Sequence, residues 1–399
     1  MAYQTARQVE VSYKLQTVKG TPPSNSGAKA FRINDGGLNL TKDPINSNEN
    51  RRDGMTTRGR HGSRSVTGNY TGDLSVGTFD ELVEALFWGT FDAALTIDEG
   101  TAGLSSATLA VGANTITASA GSWIASGLRV GDVIRPTSGL VAGNLNRNLR
   151  IIGLTATVIT VAEDLTVEAG PIAAYTFVRP KKVMQGNTRR AFCFEEREID
   201  IDGSEIFEWC RVGSMALEMQ PNGMATVNFG IVGRNMEVQE GVESPYFTDP
   251  AYTTSTGLTA VEAKIMLGSE EVVDLTALSL NFDRRASGTP VVGSVLTPDV
   301  FDNNMTVAGS ITGLRQDFNK TKAFLEEDDL SLHLLFAENA AEPANFISVV
   351  IPYLSLSTSS KSAIGQDGPR TQSLDLMIGV DPRGGAYEPC MAIWQTSAA

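Results

Sequence analysis

One segment of the chain occurs twice, and this constrains the fold more than any other feature. Val66-Thr-Gly-Asn-Tyr-Thr-Gly72 and Val307-Ala-Gly-Ser-Ile-Thr-Gly313 both read Val-x-Gly-x-(apolar)-Thr-Gly, at an offset of 241. Upstream, Leu38-Asn-Leu40 with Asp43 matches Leu278-Ser-Leu280 with Asp283, at an offset of 240. The two intervening loops are therefore equal in length to within one residue. A short match arises by chance, but a match together with its loop spacing points to duplication of a structural unit.

Each copy continues in the same order. After the first, Thr78-Phe-Asp-Glu81 has the form of a capping box, and Phe79, Leu82, Val83, Leu86 and Phe87 share one helical face before Gly89. In the second copy Asn319 aligns with Thr78, and 320–328 is helix-compatible with a poorer apolar face. Strands are expected over 191–198 and 204–211 around the turn Asp202-Gly203, with counterparts at 331–337 and 346–353. Met215, Leu217 and Met219, then Val227, Phe229 and Ile231, alternate with period two across the turn Pro221-Asn222-Gly223. Leu354 and Leu356, then Leu374, Leu376 and Ile378, do the same.

The copies differ by about a hundred residues between helix and strands. That excess reads as an inserted small β domain over 98–181, decorating the periphery because an insertion into a core would break packing. The fold class expected is therefore mainly β. It comprises a discontinuous first domain (1–97 and 182–250), the insert, and a second domain (251–399), with one packed helix in each repeat.

Composition narrows the function. Apolar residues make up 41% and charged residues 20% of 399, ordinary values for a folded chain. No stretch of 18 apolar residues marks a membrane helix, and the first residues lack the apolar core of a secretory signal. The odd count of cysteines (Cys193, Cys210, Cys390), without metal-type spacing, reads as reduced thiols. The net charge of −14 is uneven. Residues 1–64 carry 11 Lys and Arg against 5 Asp and Glu, while the rest carry 21 against 41. A basic arm on an acidic body would make copies of one chain attract each other, although a soluble acidic protein with one basic loop has the same signature.

Enzyme motifs are missing. No dinucleotide fingerprint, P-loop, nucleophile elbow or zinc-hydrolase signature occurs. Of the two histidines, His61 lies in an Arg/Gly-rich loop and His333 in an apolar strand, where a hydrogen-bonded structural role is expected. Glu195, Glu196 and Glu198, or the run 326–329, could be offered as a glycosidase pair. A solvated acidic strand or helix end accounts for them better. No cofactor, metal or catalytic residue is assigned, and an acidic chain is a poor binder of phosphate backbones.

The order Lys19-Gly-Thr-Pro22, Leu38–Leu40, Ser65-Val-Thr-Gly68, Gly77-Thr-Phe-Asp-Glu-Leu82, Arg190-Ala-Phe-Cys-Phe-Glu-Glu196 and Met215–Val232 resembles the tail tube proteins of long-tailed phages. The likeness covers most of 1–240, and the duplicated half extends it to residue 380. It implies a non-enzymatic virion protein, made in the bacterial host cytoplasm, whose domains join their sheets into a barrel around a lumen. Rings with six-fold or pseudo-six-fold symmetry would stack into a conduit for the genome. One tube domain per chain would require hexamers, whereas two fused domains point to a homotrimeric ring. Its implied partners are copies of itself, the tape measure, terminator and distal tail proteins, and DNA that passes without being bound. A distal tail or capsid component built from related β modules is the alternative. Within this reading the loop 43–63, with Arg51, Arg52, Arg58 and Arg60, is expected to contact an acidic surface of the adjacent ring, and the lumen is expected to be acidic.

Overall fold

The computed structural model describes residues 3–339, 344–365 and 368–398. It is mainly β, with 48% strand and two α-helices. Its backbone is one antiparallel sheet that runs through both repeats. The strand order is Asp35–Ile45, Arg60–Asp73, Thr226–Gly233, the second half of Gly203–Met219, Leu275–Asp283, Thr306–Leu314, Thr371–Ile378 and the second half of Phe346–Lys361. The first four strands belong to the first repeat and the last four, in the same order, to the second. Two smaller sheets lie behind it. One joins Val9–Gln16, Ala191–Glu198, 203–208 and Asn235–Glu240. The other joins Ala263–Leu267, Leu330–Ala337, 346–351, Ile393–Thr396 and Lys181–Val183.

Two long strands, Gly203–Met219 and Phe346–Lys361, pass from a rear sheet into the shared sheet. Each carries a register shift at an equivalent place, between Val212 and Ser214 opposite Ile231 and Gly230, and between Leu356 and Thr358 opposite Leu376 and Asp375. A β-bulge adds twist and re-aims the strand, which is what a strand shared by two sheets requires.

The bulges and ladders fix how the repeats correspond. Leu38 faces Gly68, and Leu280 faces Gly309. Since Gly68 and Gly309 are the matched glycines, Leu38-Asn-Leu40 corresponds to Leu280-Asn-Phe282, two residues beyond the expected match with Leu278–Leu280. A two-residue slip preserves the in/out alternation of a strand, so hydrophobic pattern alone cannot detect it. The glycines of the motif have a steric cause. A Cβ on Gly68 would collide with the carbonyl of Gly37, and one on Gly309 would lie 2.6 Å from Leu280 Cδ2.

The first helix, Asp80–Phe87, buries Leu82, Val83, Ala85, Leu86 and Phe87. Its expected capping box does not form. Phe79 is the N-cap and makes no side-chain cap bond, while the Thr78 hydroxyl is taken by Ser75 and Thr253 and Glu81 pairs with Lys29. Trp88, not Gly89, takes the left-handed C-cap conformation. The second helix, Asn319–Glu326, starts after Phe318, buries no residue, and ends at a left-handed Glu327. In both helices the next amide returns to a carbonyl of the last turn, Gly89 to Glu84 and Asp328 to Ala323. Trp88 therefore corresponds to Glu327.

One apolar cluster runs behind the shared sheet through both repeats. In the first repeat it is aromatic, with Tyr13, Phe31, Tyr70, Phe79, Phe192, Phe194 and Phe229 in ring contact. In the second, by strand register, Ile311 stands for Tyr70, Leu374 for Phe229 and Leu332 for Phe194. Residues 95–179 form a separate eight-stranded sheet around Trp123, Tyr175, Phe177 and their neighbours. The strand Leu95–Asp98 belongs to this sheet, pairing with Thr176–Arg179, while Lys181–Val183 belongs to the rear sheet of the second repeat.

His333 is buried beside Ser348, with its Nε2 2.9 Å from the hydroxyl, as a structural histidine should be. Burial, assisted by the nearby Arg150 charge, pushes its pKa down to about 3. The unfolded chain, with a value near 6.5, takes up this proton first. The stabilisation is complete above pH 6.5 and is lost as pH falls toward 3, by roughly 1.4 kcal/mol per unit. Between pH 7 and 5 the unfolding free energy of the native chain should fall by about 2 kcal/mol more than that of His333→Gln in urea titrations. Equal losses would remove His333 as the cause.

Candidate assembly surfaces

The middle of the shared sheet is a junction between repeats. Ser214–Met219 pairs antiparallel with Leu278–Asp283, residue for residue from Ser214 opposite Asp283 to Met219 opposite Leu278. On the inner face Met215, Leu217, Leu280 and Phe282 are buried together. The same two kinds of edge recur unpaired at the ends of the sheet. Strand Asp35–Ile45 pairs only with Arg60–Asp73, and 355–361 only with Thr371–Ile378, among the described residues. By the correspondence above, 358–360 is the counterpart of 214–216, and 39–41 that of 281–283. Unpaired edges with regular backbone are templates for another strand.

The outward face of this sheet is chemically uniform. Its alternating residues include Asn39, Thr41, Thr67, Asn69, Thr71, Ala216, Thr226, Asn228, Gly230, Ser279, Asn281, Ala308, Ser310, Thr312, Ser373, Thr358 and Ser360. Short of the register shift at Lys42/Pro44, the charged members of that alternation are Asp35, Asp73, Glu218, Asp283 and Asp375, all acidic; beyond the shift it continues with Asp43 and with Arg60 opposite Ile45. Small hydroxyl and amide groups with scattered carboxylates offer nothing that would grip a phosphate backbone.

The hairpin of Asp35–Ile45 and Arg60–Asp73 projects beyond the sheet, and its tip is 46–59, shorter than the expected loop 43–63. Arg51, Arg52 and Arg58 are exposed on the tip, and Arg60 is exposed on the returning strand opposite Ile45. Arg51 is held by Asp53 at 2.6 Å. The four arginines thus share one arm but form no common pocket.

The counterpart loop in the second repeat, 284–305, behaves differently. It folds back onto the first repeat. Arg211 binds Asp302 at 2.7 Å and Asp299 at 3.3 Å, Trp209 Nε1 donates to Asp299 at 2.6 Å, Arg234 donates to the Thr297 carbonyl, and the Arg64 amide to that of Val295. Trp209 takes a left-handed conformation (φ 52°) at a bulge opposite Cys193, which presents its ring to this loop. At the root of the loop Arg284 is buried. It donates to the carbonyls of Leu86 (2.8 Å) and Phe87 (3.0 Å) and lies 4.0 Å above the Trp88 ring. A cation at a helix C-terminus satisfies carbonyls that have no partner within the helix and meets the negative end of its dipole. Burial lowers the Arg284 pKa to about 10, and nearby Asp302 acts against that shift, so the side chain is charged at neutral pH. Sequence reading overlooked this residue. The usable signal was Leu-Asn-x-x-Lys/Arg, present as Leu38 to Lys42 and Leu280 to Arg284.

The carboxylates that a glycosidase would need have structural work. Glu195 is buried and accepts from the amides of Tyr246 and Phe247 and the hydroxyl of Ser204. Glu196 accepts from the Tyr70 hydroxyl and the Leu38 amide, tying a rear sheet to the edge strand; burial raises its pKa while these donors oppose the rise. The run 326–329 is exposed at the end of the second helix. All three cysteines are free and buried, and desolvation raises their pKa values, that of Cys390 to about 12, which keeps the thiols protonated and unreactive.

The insert is anchored to the second repeat although it interrupts the first. Lys182 is buried and bonds Asp132 at 2.8 Å and Glu388 at 3.1 Å, and the Gln395 amide spans both the N–H and C=O of Val133 at 2.8 Å. Val133 packs with Leu335 and Phe346. Removing one partner of a buried ion pair costs far more than the pair contributes, so these contacts fix the docking in one arrangement.

A comparison with protein families gives a match to a family described as "Phage tail tube protein" over residues 6–378. A search of curated proteins found no match.

Proposed function

The chain belongs to the phage tail tube protein family and is a structural component of the phage tail, and from that premise we propose that three copies close a ring by repeating between chains the junction each already makes within itself. The observation that carries this is the sheet with one junction in its centre and its two unpaired halves at the ends. Adding strand 355–361 of one copy to strand 35–45 of the next puts Thr358 opposite Thr41, Ser359 opposite Leu40 and Ser360 opposite Asn39. The Leu38 amide is already given to Glu196, so the ladder runs from residue 39. Eight strands from each of three chains, spaced by about 4.8 Å, give a backbone diameter of about 37 Å before tilt. Six chains would give about twice that, and the fused pair of repeats is the reason to favour three.

The inner, apolar face of the sheet is covered by the rear sheets, so the small-polar face lines the bore. Rings of this kind stack head to tail, an open-ended heterologous assembly. The arm tip with Arg51, Arg52 and Arg58, and Arg60 behind it, reaches the acidic body of the adjacent ring. Away from the arm, the passing genome meets a surface without cations among the described residues.

Three measurements test the reading. The double variant Asn39→Cys with Ser360→Cys should form interchain disulfides that yield a covalent trimer on non-reducing gels, while Asn39→Cys with Lys361→Cys should not. Cross-linking without register preference, or none beside intact rings, would refute the strand addition and return attention to a distal tail or capsid role. Glu at all four arginines should leave rings that fail to stack under the electron microscope; stacking as before would remove the arm from the contact. Tubes of the unaltered chain should not retain duplex DNA on sedimentation, whereas Asn228→Arg with Ser310→Arg should retain it at low salt and release it as salt rises. Retention by unaltered tubes would contradict an inert bore.

A further inference from the structure

The two helices end in the same geometry but in opposite chemical situations. The C-terminus of Asp80–Phe87 is covered, with Leu86 fully buried, and cations surround it. Arg284 takes the last carbonyls, Arg190 pairs with Glu84, and Arg189 lies over Trp88. The C-terminus of Asn319–Glu326 is bare. Leu325, the counterpart of Leu86, is 72% exposed, and Phe318 at the other end is 66% exposed. The residues that follow are Glu326, Glu327 and Asp328, all exposed, with no basic residue in the last turn. Carboxylates at the negative end of a helix dipole are unfavourable and call for a cation. Among the described residues, no Lys or Arg pairs with these three, and no side chain donates to the carbonyls of Leu325 and Glu326.

In the first repeat the cation comes from the neighbouring repeat, two residues beyond Phe282 on the strand that forms the junction. The counterpart of Phe282 is Leu40, and two residues beyond it stands Lys42. Lys42 is exposed and makes no ion pair among the described residues. The charges of the two loops also differ. Loop 284–305 carries Asp299 and Asp302 to a basic socket of Arg211 and Arg234, whereas the arm 42–60 is rich in arginine, and the counterparts of Arg211 and Arg234 by strand register, Ser355 and Gly379, carry no positive charge.

We propose that Lys42 of one copy caps the second helix of the adjacent copy in the same ring, binding the carbonyls of Leu325 and Glu326 and the carboxylate of Glu327, as Arg284 caps the first helix within the chain. This contact lies at the root of the arm and is lateral, distinct from the stacking contact of its tip. It rests on the ring closure proposed above.

The test is a charge exchange in the full chain, read by native mass spectrometry and sedimentation across a concentration series. Lys42→Glu and Glu327→Lys should each raise the concentration at which rings form by about tenfold, and the double variant should restore it to within about twofold. Both side chains are exposed, so melting of the unassembled chain should not change, and Lys42→Arg should assemble normally. Single variants that assemble like the unaltered chain, or a double variant no better than the worse single, would overturn the clamp while leaving ring closure intact. Absence of rings from the unaltered chain would overturn both.

Discussion

The pairing of Ser214–Met219 with Leu278–Asp283 is the interaction on which the rest of the architecture depends. It joins two four-stranded halves into one sheet, continues the apolar cluster from one repeat to the next, and leaves one edge of each kind at the ends. Sheets with such ends normally protect them with short strands, charges or bulges, because an open edge recruits strands without control. Here each edge strand carries one register shift, at Lys42/Pro44 and at Leu356/Thr358, but the stretches beside them, 35–41 and 358–361, stay open, and each is the complement of the other. A chain that already contains the solved form of an interface can repeat it between copies without new chemistry.

The two repeats have diverged where each meets a different neighbour. Loop 284–305 always finds the first repeat, through the ion pairs of Arg211 and the cap made by Arg284. Among the described residues the arm 46–59 has no such partner outside itself, and it keeps its arginines in solvent. The same position on the fold thus consolidates the chain in one repeat and stands as an exposed arm in the other. The helix ends follow the same division. The first carries Trp88, on which Arg284 rests, and the second carries a run of carboxylates.

Much of this was legible in the sequence, for physical reasons. The glycines at 68 and 309 must stay small because neighbouring backbone or side chains occupy their Cβ space, so the motif around them is shared although the core is aromatic in one half and aliphatic in the other. The strands at 191–198 and 226–233 could be read from alternation. The register could not. Leu278-Ser-Leu280 and Leu280-Asn-Phe282 fit the same pattern, and only the cross-strand partner distinguishes them. The capping box at Thr78 failed for a similar reason: the hydroxyl had a tertiary partner in Thr253, 175 residues away. The arginine arm was visible as composition, but the role of Arg284 was not: the shared Leu-Asn-x-x-Lys/Arg spacing marks Arg284 and Lys42 as equivalent without showing that Arg284 caps a helix nearly two hundred residues away.

The strand Ile393–Thr396 lies in the interior of a rear sheet, between 346–351 and Lys181–Val183, and Gln395 from it grips the insert at Val133. The contacts with Lys181–Val183 and Val133 span more than two hundred residues of chain, so loop-closure entropy places them late in folding. During synthesis the insert and both repeats can acquire most of their strands while this slot stays empty. The second half is then finished only once residues 393–396 have left the ribosome. Under the ring closure proposed above, a nascent polypeptide would present its first open edge well before its second becomes rigid, and this delay would work against premature polymerisation on a polysome.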